Sequence, residues 1–250
     1  MKQRVRFSKR GKIRFLSHRD LARVWERTLR RAAVPVAYSE GFSPRPRLSF
    51  GLALSTGHES LGEYLDIDVA PHAELAPADL PDRVAPHLPN GMVAQAAIAL
   101  EPGTESLQQA VVSCSWEIEV LGPQPTEAAQ RVAEVLTLDT LPINVDRKGS
   151  TVELDARPAI LHLEVAAPEP TPPGVADLRA STLLVAEIAT QTRSLRPAEL
   201  VRALGANWHE GLVLRTHQWT MVDGARCEPI PLGDGARSAT STPHATVRAS

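Results

Sequence analysis

From Phe15 to Gly51 the chain reads FLSHRDLARVWERTLRRAAVPVAYSEGFSPRPRLSFG, and the folding of this stretch decides the architecture around it. Ser17 and Asp20 have the spacing of a capping box, with Ser17 at the N-cap, so a helix is expected from Ser17 onward. It should end near Ala33, because a proline at position 35 disfavours helical backbone just before it. On a helical wheel Leu21, Val24, Trp25, Thr28, Leu29 and Ala32 share one side. Arg19, Arg23, Arg27, Arg30 and Arg31 centre on the other. Arg19, Arg23 and Arg27 form a row at i, i+4 and i+8 with Glu26 as their acidic neighbour. Like charges at that spacing cost roughly a few tenths of a kcal/mol per pair, which a purely structural helix has no reason to carry. In the loop that follows, Pro44 and Pro46 favour an extended backbone and Gly41 is available for a positive-φ turn.

Outward from this stretch the periodicities are short. QRVRFSKRGKIRFL reads as a hairpin turning at Lys9-Arg10-Gly11, with Val5, Phe7, Ile13 and Phe15 inward and the cations outward. GEYLDIDVA alternates as a strand, with Leu65, Ile67 and Val69 inward and Tyr64, Asp66 and Asp68 outward. A proline-weakened helix, APADLPDRVAPHL, and a strand, MVAQAAIAL, follow, and EPGTESLQQ reads as a linker. Beyond it AVVSCSWEIEVL, LPINVDR, ILHLEVA, TLLVAEIA and LVLRTHQW read as strands, with helices at TEAAQRVAEVL and RPAELVRAL and a loop at PEPTPPG. The expected fold is α+β: two tandem modules, each an antiparallel sheet covered by helices on one face. The expected divisions are residues 1–105, residues 106–228 and a small, polar, disordered tail at residues 229–250.

Composition narrows the function classes. Two cysteines, Cys114 and Cys227, in no CxxC-type pattern exclude a zinc or iron–sulfur framework and suit a reducing cytosol. No apolar run approaches the ~18 residues of a membrane span, so a cytoplasmic protein is expected. Residues 1–50 hold 14 Lys and Arg against 3 Asp and Glu, whereas the other 200 hold 13 against 26. A surplus of +11 beside −13 fits either a polyanion-binding region on an acidic body or two portions that neutralise each other.

The motifs Phe15-Leu16-Ser17-His18-Arg19-Asp20, Tyr38-Ser39-Glu40-Gly41-Phe42, Pro44-Arg45-Pro46 and Gly62-Glu63-Tyr64-Leu65-Asp66 resemble the radical-SAM-linked family of uncharacterised bacterial proteins. The resemblance is specific over roughly the first 70 residues. It implies association with a radical SAM protein, here in trans. The chain contains no Cys-x3-Cys-x2-Cys and so holds no such cluster itself, and no cofactor is expected. More distantly, the order of elements is similar to the repeat-associated RNA-processing superfamily, which implies ferredoxin-like modules and RNA as ligand.

The candidate interface is therefore Arg19, Arg23, Arg27, Arg30, Arg31, Arg45 and Arg47, since each guanidinium can grip a phosphate through two bonds. Phe42 is either a base-stacking side chain at the loop tip or a core plug. His18 at the helix start is either an acid/base for RNA cleavage, completed by Tyr38 or Tyr64, or a packing residue. Glu63, Asp66 and Asp68 could gather at a metal, but pairing with the arginine row, Glu63 and Asp66 orienting Arg47 or Arg19, is the simpler reading. Ser17, Asp20, Tyr38, Ser39, Gly41, Pro44, Pro46, Glu63, Tyr64 and Asp66 are expected to shape the motif region. The expected function is an RNA-binding accessory module for tRNA or rRNA modification. The alternatives are a metal-independent endoribonuclease using His18 and a protein adaptor for the radical SAM partner.

Overall fold

Arginines alternate with apolar residues along the first strand, β1 (Lys2–Lys9), and both of its faces are buried. Val5 and Phe7 enter an apolar core, as the alternation implies. Arg4 and Arg6, expected at the surface, are each only 4% exposed, because β1 lies between two other strands under a covered second face. The structure, a computed structural model, describes residues 1–71, 73–147, 149–167, 181–191 and 195–232. The loop expected at PEPTPPG falls outside these.

After β1 come α1 (His18–Arg31), β2 (Leu48–Phe50), β3 (Glu59–Asp68), α2 (Leu80–Val84) and β4 (Met92–Leu100). The second half runs α3 (Leu107–Ala110), β5 (Val111–Leu121), α4 (Pro125–Thr137), β6 (Pro142–Arg147), β7 (Ser150–Asp155) and β8 (Ile160–Val165). It closes with β9 (Ser181–Ala189), α5 (Pro197–Leu204), β10 (His209–Val222) and β11 (Ala225–Cys227). The segment read as a linker thus carries α3. The second arm of the expected N-terminal hairpin is a 3-10 turn over Gly11–Phe15. Tertiary partners fix that turn: the Lys9 ammonium donates to the carbonyls of Arg14 at 3.1 Å and Leu16 at 3.2 Å. Glu59 accepts from the Gly11 amide at 2.8 Å. Ile13 is buried as expected, but Phe15 faces solvent at 60% exposure.

Each half repeats one strand pattern. The first orders its strands β4-β1-β3-β2 and the second β10-β5-β9-β8, with antiparallel pairing throughout both. β6 and β7 form a separate hairpin inserted after α4. The two expected sheets are nevertheless one, because β3 and β10 pair in parallel through Leu214 with Glu59 and Arg215 with Ser60. One core forms under α1, where the Phe7 ring meets Trp25 edge-on at 5.0 Å. The other forms where Val132 and Val135 of α4 and Leu200 and Leu204 of α5 cluster with Ile118, Leu184 and Ile188.

The side of β1 opposite Val5 is covered too. Arg4 lies 2.7 Å from Asp66, and the Arg6 guanidinium donates to the Tyr64 hydroxyl at 2.8 Å. Tyr64 and Asp66 are therefore buried rather than outward, and burial pushes the Tyr64 hydroxyl pKa well up. Residues 228–232 cross this side, although residues 229–250 are expected to form a disordered tail. Glu228 pairs with Arg6 at 2.6 Å, the carbonyl of the buried Ile230 accepts from Arg6 at 3.1 Å, and the rest of that tail lies outside the described residues.

At the join, Arg215 of β10 is fully enclosed. Its Nη2 stands 2.6 Å from Glu63 Oε1 and donates to the Leu52 carbonyl at 2.9 Å. Its guanidinium lies 5.5 Å from the Trp116 ring centre. Burial alone would pull this guanidinium's pKa down, but the Glu63 carboxylate reverses the shift and holds it charged. Gln218 adds a bond to the Gly62 carbonyl at 2.7 Å. Nearby, burial pushes the Cys114 thiol up to about 11. Removing one member of a buried ion pair strands the other charge, so Glu63→Ala should cost about 3–5 kcal/mol in urea unfolding. The double variant Glu63→Leu/Arg215→Met should recover most of that loss. An unfolding midpoint unchanged by Glu63→Ala would contradict this account of the seam.

Candidate nucleic-acid interface

α1 begins where its sequence signals place it. Ser17 caps it, its hydroxyl oxygen accepting from the Asp20 amide at 3.2 Å and its hydroxyl donating to the Asp20 carboxylate at 2.7 Å. That bond, helped by Arg23 at 3.2 Å, holds the Asp20 carboxyl below its ordinary 3.8. The other end is clamped from a distance: Arg83 donates to the carbonyls of Ala32 at 2.9 Å and Ala33 at 2.7 Å. Arg30 and Arg31 in the last turn also sit well at the negative end of the helix dipole. Leu21, Trp25, Thr28 and Leu29 are buried. Arg19, Arg23, Arg27, Arg30 and Arg31 are all exposed on the opposite side, as the wheel implies. The row from Arg19 to Arg27 spans about 12 Å of helix axis.

Five residues after Arg31 the chain enters a finger over residues 36–47. Its rungs are regular. Ala37 donates to the Asp68 carbonyl at 2.7 Å, Arg47 donates to the Ala37 carbonyl at 2.9 Å, and Tyr38 bridges Pro46. Ser39 brackets Arg45, its amide donating to the Arg45 carbonyl at 2.8 Å and its hydroxyl accepting from the Arg45 amide at 3.1 Å. Gly41 turns the tip at φ 118°. Phe42 projects from that tip wholly into solvent and is no core plug. Tyr38, Arg45 and Arg47 are exposed along the finger's sides, with Arg47 Nε 3.1 Å from Asp68.

The fourteen cations of residues 1–50 therefore divide into two sets of seven. Those up to Arg14 serve mostly inside: Arg4 pairs with Asp66, Arg6 with Glu228, and Arg10 and Arg14 with Glu59. The seven from Arg19 to Arg47 all lie at the surface. Among the described residues only Arg23 and Arg47 of that set form ion pairs, with Asp20 and Asp68, both exposed enough to be worth little.

Other candidate residues are placed differently. Glu63 pairs with Arg215 and Asp66 with Arg4, so neither orients Arg19 or Arg47; Asp68 does that for Arg47. No group of three or more side chains able to hold a metal stands together among the described residues. His18 is exposed at the first position of α1, its ring 5.2 Å from that of Phe50. Tyr64 cannot complete a site with it, because it lies buried opposite Leu65 and bonded to Arg6. Arg83 is the residue that sequence reading missed. It acts fifty residues from its acceptors, with no local pattern to announce it.

An α+β protein with one joined sheet and an exposed arginine surface is the class that fold and site define. The chain belongs to the family of uncharacterised proteins conserved in bacteria, DUF2344, whose pattern it matches over residues 2–197. No curated protein matches it in sequence. Among solved structures it is similar to a Cbf5–Nop10–Gar1 complex at 11% identity and TM-score 0.46, covering 86% of this chain and 48% of that one. It is also similar to an H/ACA RNP bound to a substrate RNA containing 2'-deoxyuridine, at 9% identity and TM-score 0.45, covering 86% and 47%. The chain thus spans just under half the length of both. No helix among the described residues is long and apolar enough to cross a membrane.

Ser17→Ala should weaken the helix that carries the arginines by about 1 kcal/mol, measured by denaturant unfolding. It should also let the Asp20 carboxyl rise back toward 3.8 in an NMR titration. The sign follows from the lowered value. The benefit of ionised Asp20 is present above the ordinary carboxylate range and lost as pH falls through its depressed pKa.

Proposed function

We propose that this chain is an RNA-binding accessory module that presents tRNA or rRNA to a radical SAM-type RNA-modifying enzyme supplied in trans in the bacterial cytoplasm. The observation that carries the proposal is the set of seven surface arginines on α1 and the finger, five of them without a carboxylate partner among the described residues. Protein interiors absorb arginines by pairing them, as β1 does. A helix tied down at both ends that leaves four of its five outer arginines without an ion pair among the described residues is built for an anion from outside. A phosphate backbone suits it, since each guanidinium offers two parallel N–H groups to one phosphate. The radical SAM partnership rests on the motif resemblance, and the repeated strand pattern supports reading the halves as two ferredoxin-like modules fused through β3 and β10.

Filter binding of total RNA across a salt series tests the proposal. Neutralising about six phosphates should give a log–log slope near −4 for single-stranded regions, at roughly −0.7 per contact. The triple variant Arg19→Glu/Arg23→Glu/Arg27→Glu should lose most of the affinity and flatten the slope. Equal affinity of wild type and variant would end the assignment.

A further inference from the structure

The finger adds what the arginine row lacks. Phe42 is exposed at 109% of its reference area, on a tip that is held rather than loose. Ser39 brackets Arg45 through two hydrogen bonds at 2.8 and 3.1 Å, and Pro44 and Pro46 fix their own φ angles, so the ring is presented with little freedom left to lose. Resting on the RNA-binding reading above, we infer that the ligand is RNA with unpaired nucleotides, a hairpin loop or bulge, whose exposed base stacks on Phe42 while the arginines hold the adjoining phosphates.

The geometry separates this class from the neighbouring ones. A continuous RNA duplex offers phosphates but hides the faces of its bases, and the deep, narrow major groove of its A-form helix does not admit a side chain. An unpaired nucleotide offers both a π face and a phosphate run. Arg45 and Arg47 follow Phe42 by three and five residues on the same finger, a reach of at most about 18 Å, so ring and guanidinium groups can address one strand together. An anionic lipid surface would also accept arginines and a phenyl ring. Here the tip sequence Ser39-Glu40-Gly41-Phe42-Ser43 sets a carboxylate and two hydroxyls beside that single ring, which suits a nucleotide better than a bilayer. Delivery of an unstacked base also fits chemistry on bases, which requires the base out of the helix.

The test is equilibrium binding of the full chain to a stem–loop RNA and to a fully paired duplex of equal length, for wild type, Phe42→Ala and Phe42→Trp. Wild type should prefer the stem–loop. Phe42→Ala should lose about tenfold or more on the stem–loop, leave duplex binding and salt slope unchanged, and melt like wild type. Phe42→Trp should retain the preference. If Phe42→Ala binds the stem–loop as wild type does, the inference about the finger falls while the arginine surface stands. If wild type binds neither RNA, both fall. Phe42-dependent sedimentation with phosphatidylserine vesicles, without any stem–loop preference, would overturn the inference in favour of a lipid surface.

Discussion

The pairing of Arg215 with Glu63 sets how the two halves of this fold meet. Parallel pairing between β3 and β10 involves two residue pairs, too few to fix one half against the other. Enclosing a guanidinium at that point commits a carboxylate to the same place, because an unpartnered buried charge is far more costly than a paired one. The pair therefore works as a registry pin. It admits one alignment of the two halves, and Gln218 on Gly62 and Arg6 on Glu228 and Ile230 agree with it.

From that alignment follows the fate of the N-terminal charges. Once β1 and β3 become interior strands with both faces covered, every buried cation on β1 must find a partner inside the molecule. Arg4 finds Asp66 on the neighbouring strand, and Arg6 finds Glu228 from the far end of the chain. Lys9 turns its ammonium to two backbone carbonyls, and burial lowers its pKa. α1 lies over the sheet with one side in the core, so its other side meets no such demand. Mutual neutralisation and an exposed basic surface both occur, in different places and for this reason.

The exposed surface is stiff where binding would need it to be. Ser17 ties down one end of α1 and Arg83 the other, while the rungs of the finger run into β3 through Asp68. Little backbone freedom would be lost on binding an anion, so more of each contact a guanidinium made would survive as affinity. Mutual repulsion along the arginine row favours an anion further, since its arrival relieves that repulsion.

Local pattern alone determined α1, its cap and its two faces, because helix signals act within three or four residues. It also determined the strands MVAQAAIAL and AVVSCSWEIEVL and the turn at Gly41. The same alternation that correctly sent Val5 and Phe7 inward wrongly sent Arg4, Arg6, Tyr64 and Asp66 outward. A period of two assigns residues to faces but is silent on whether a face is covered. Tertiary structure alone decided that two sheets became one, that Glu63 belongs to Arg215, that Arg83 closes α1 and that Ile230 is buried. Each of those contacts joins residues at least fifty apart, and no periodicity of the chain carries information over that distance.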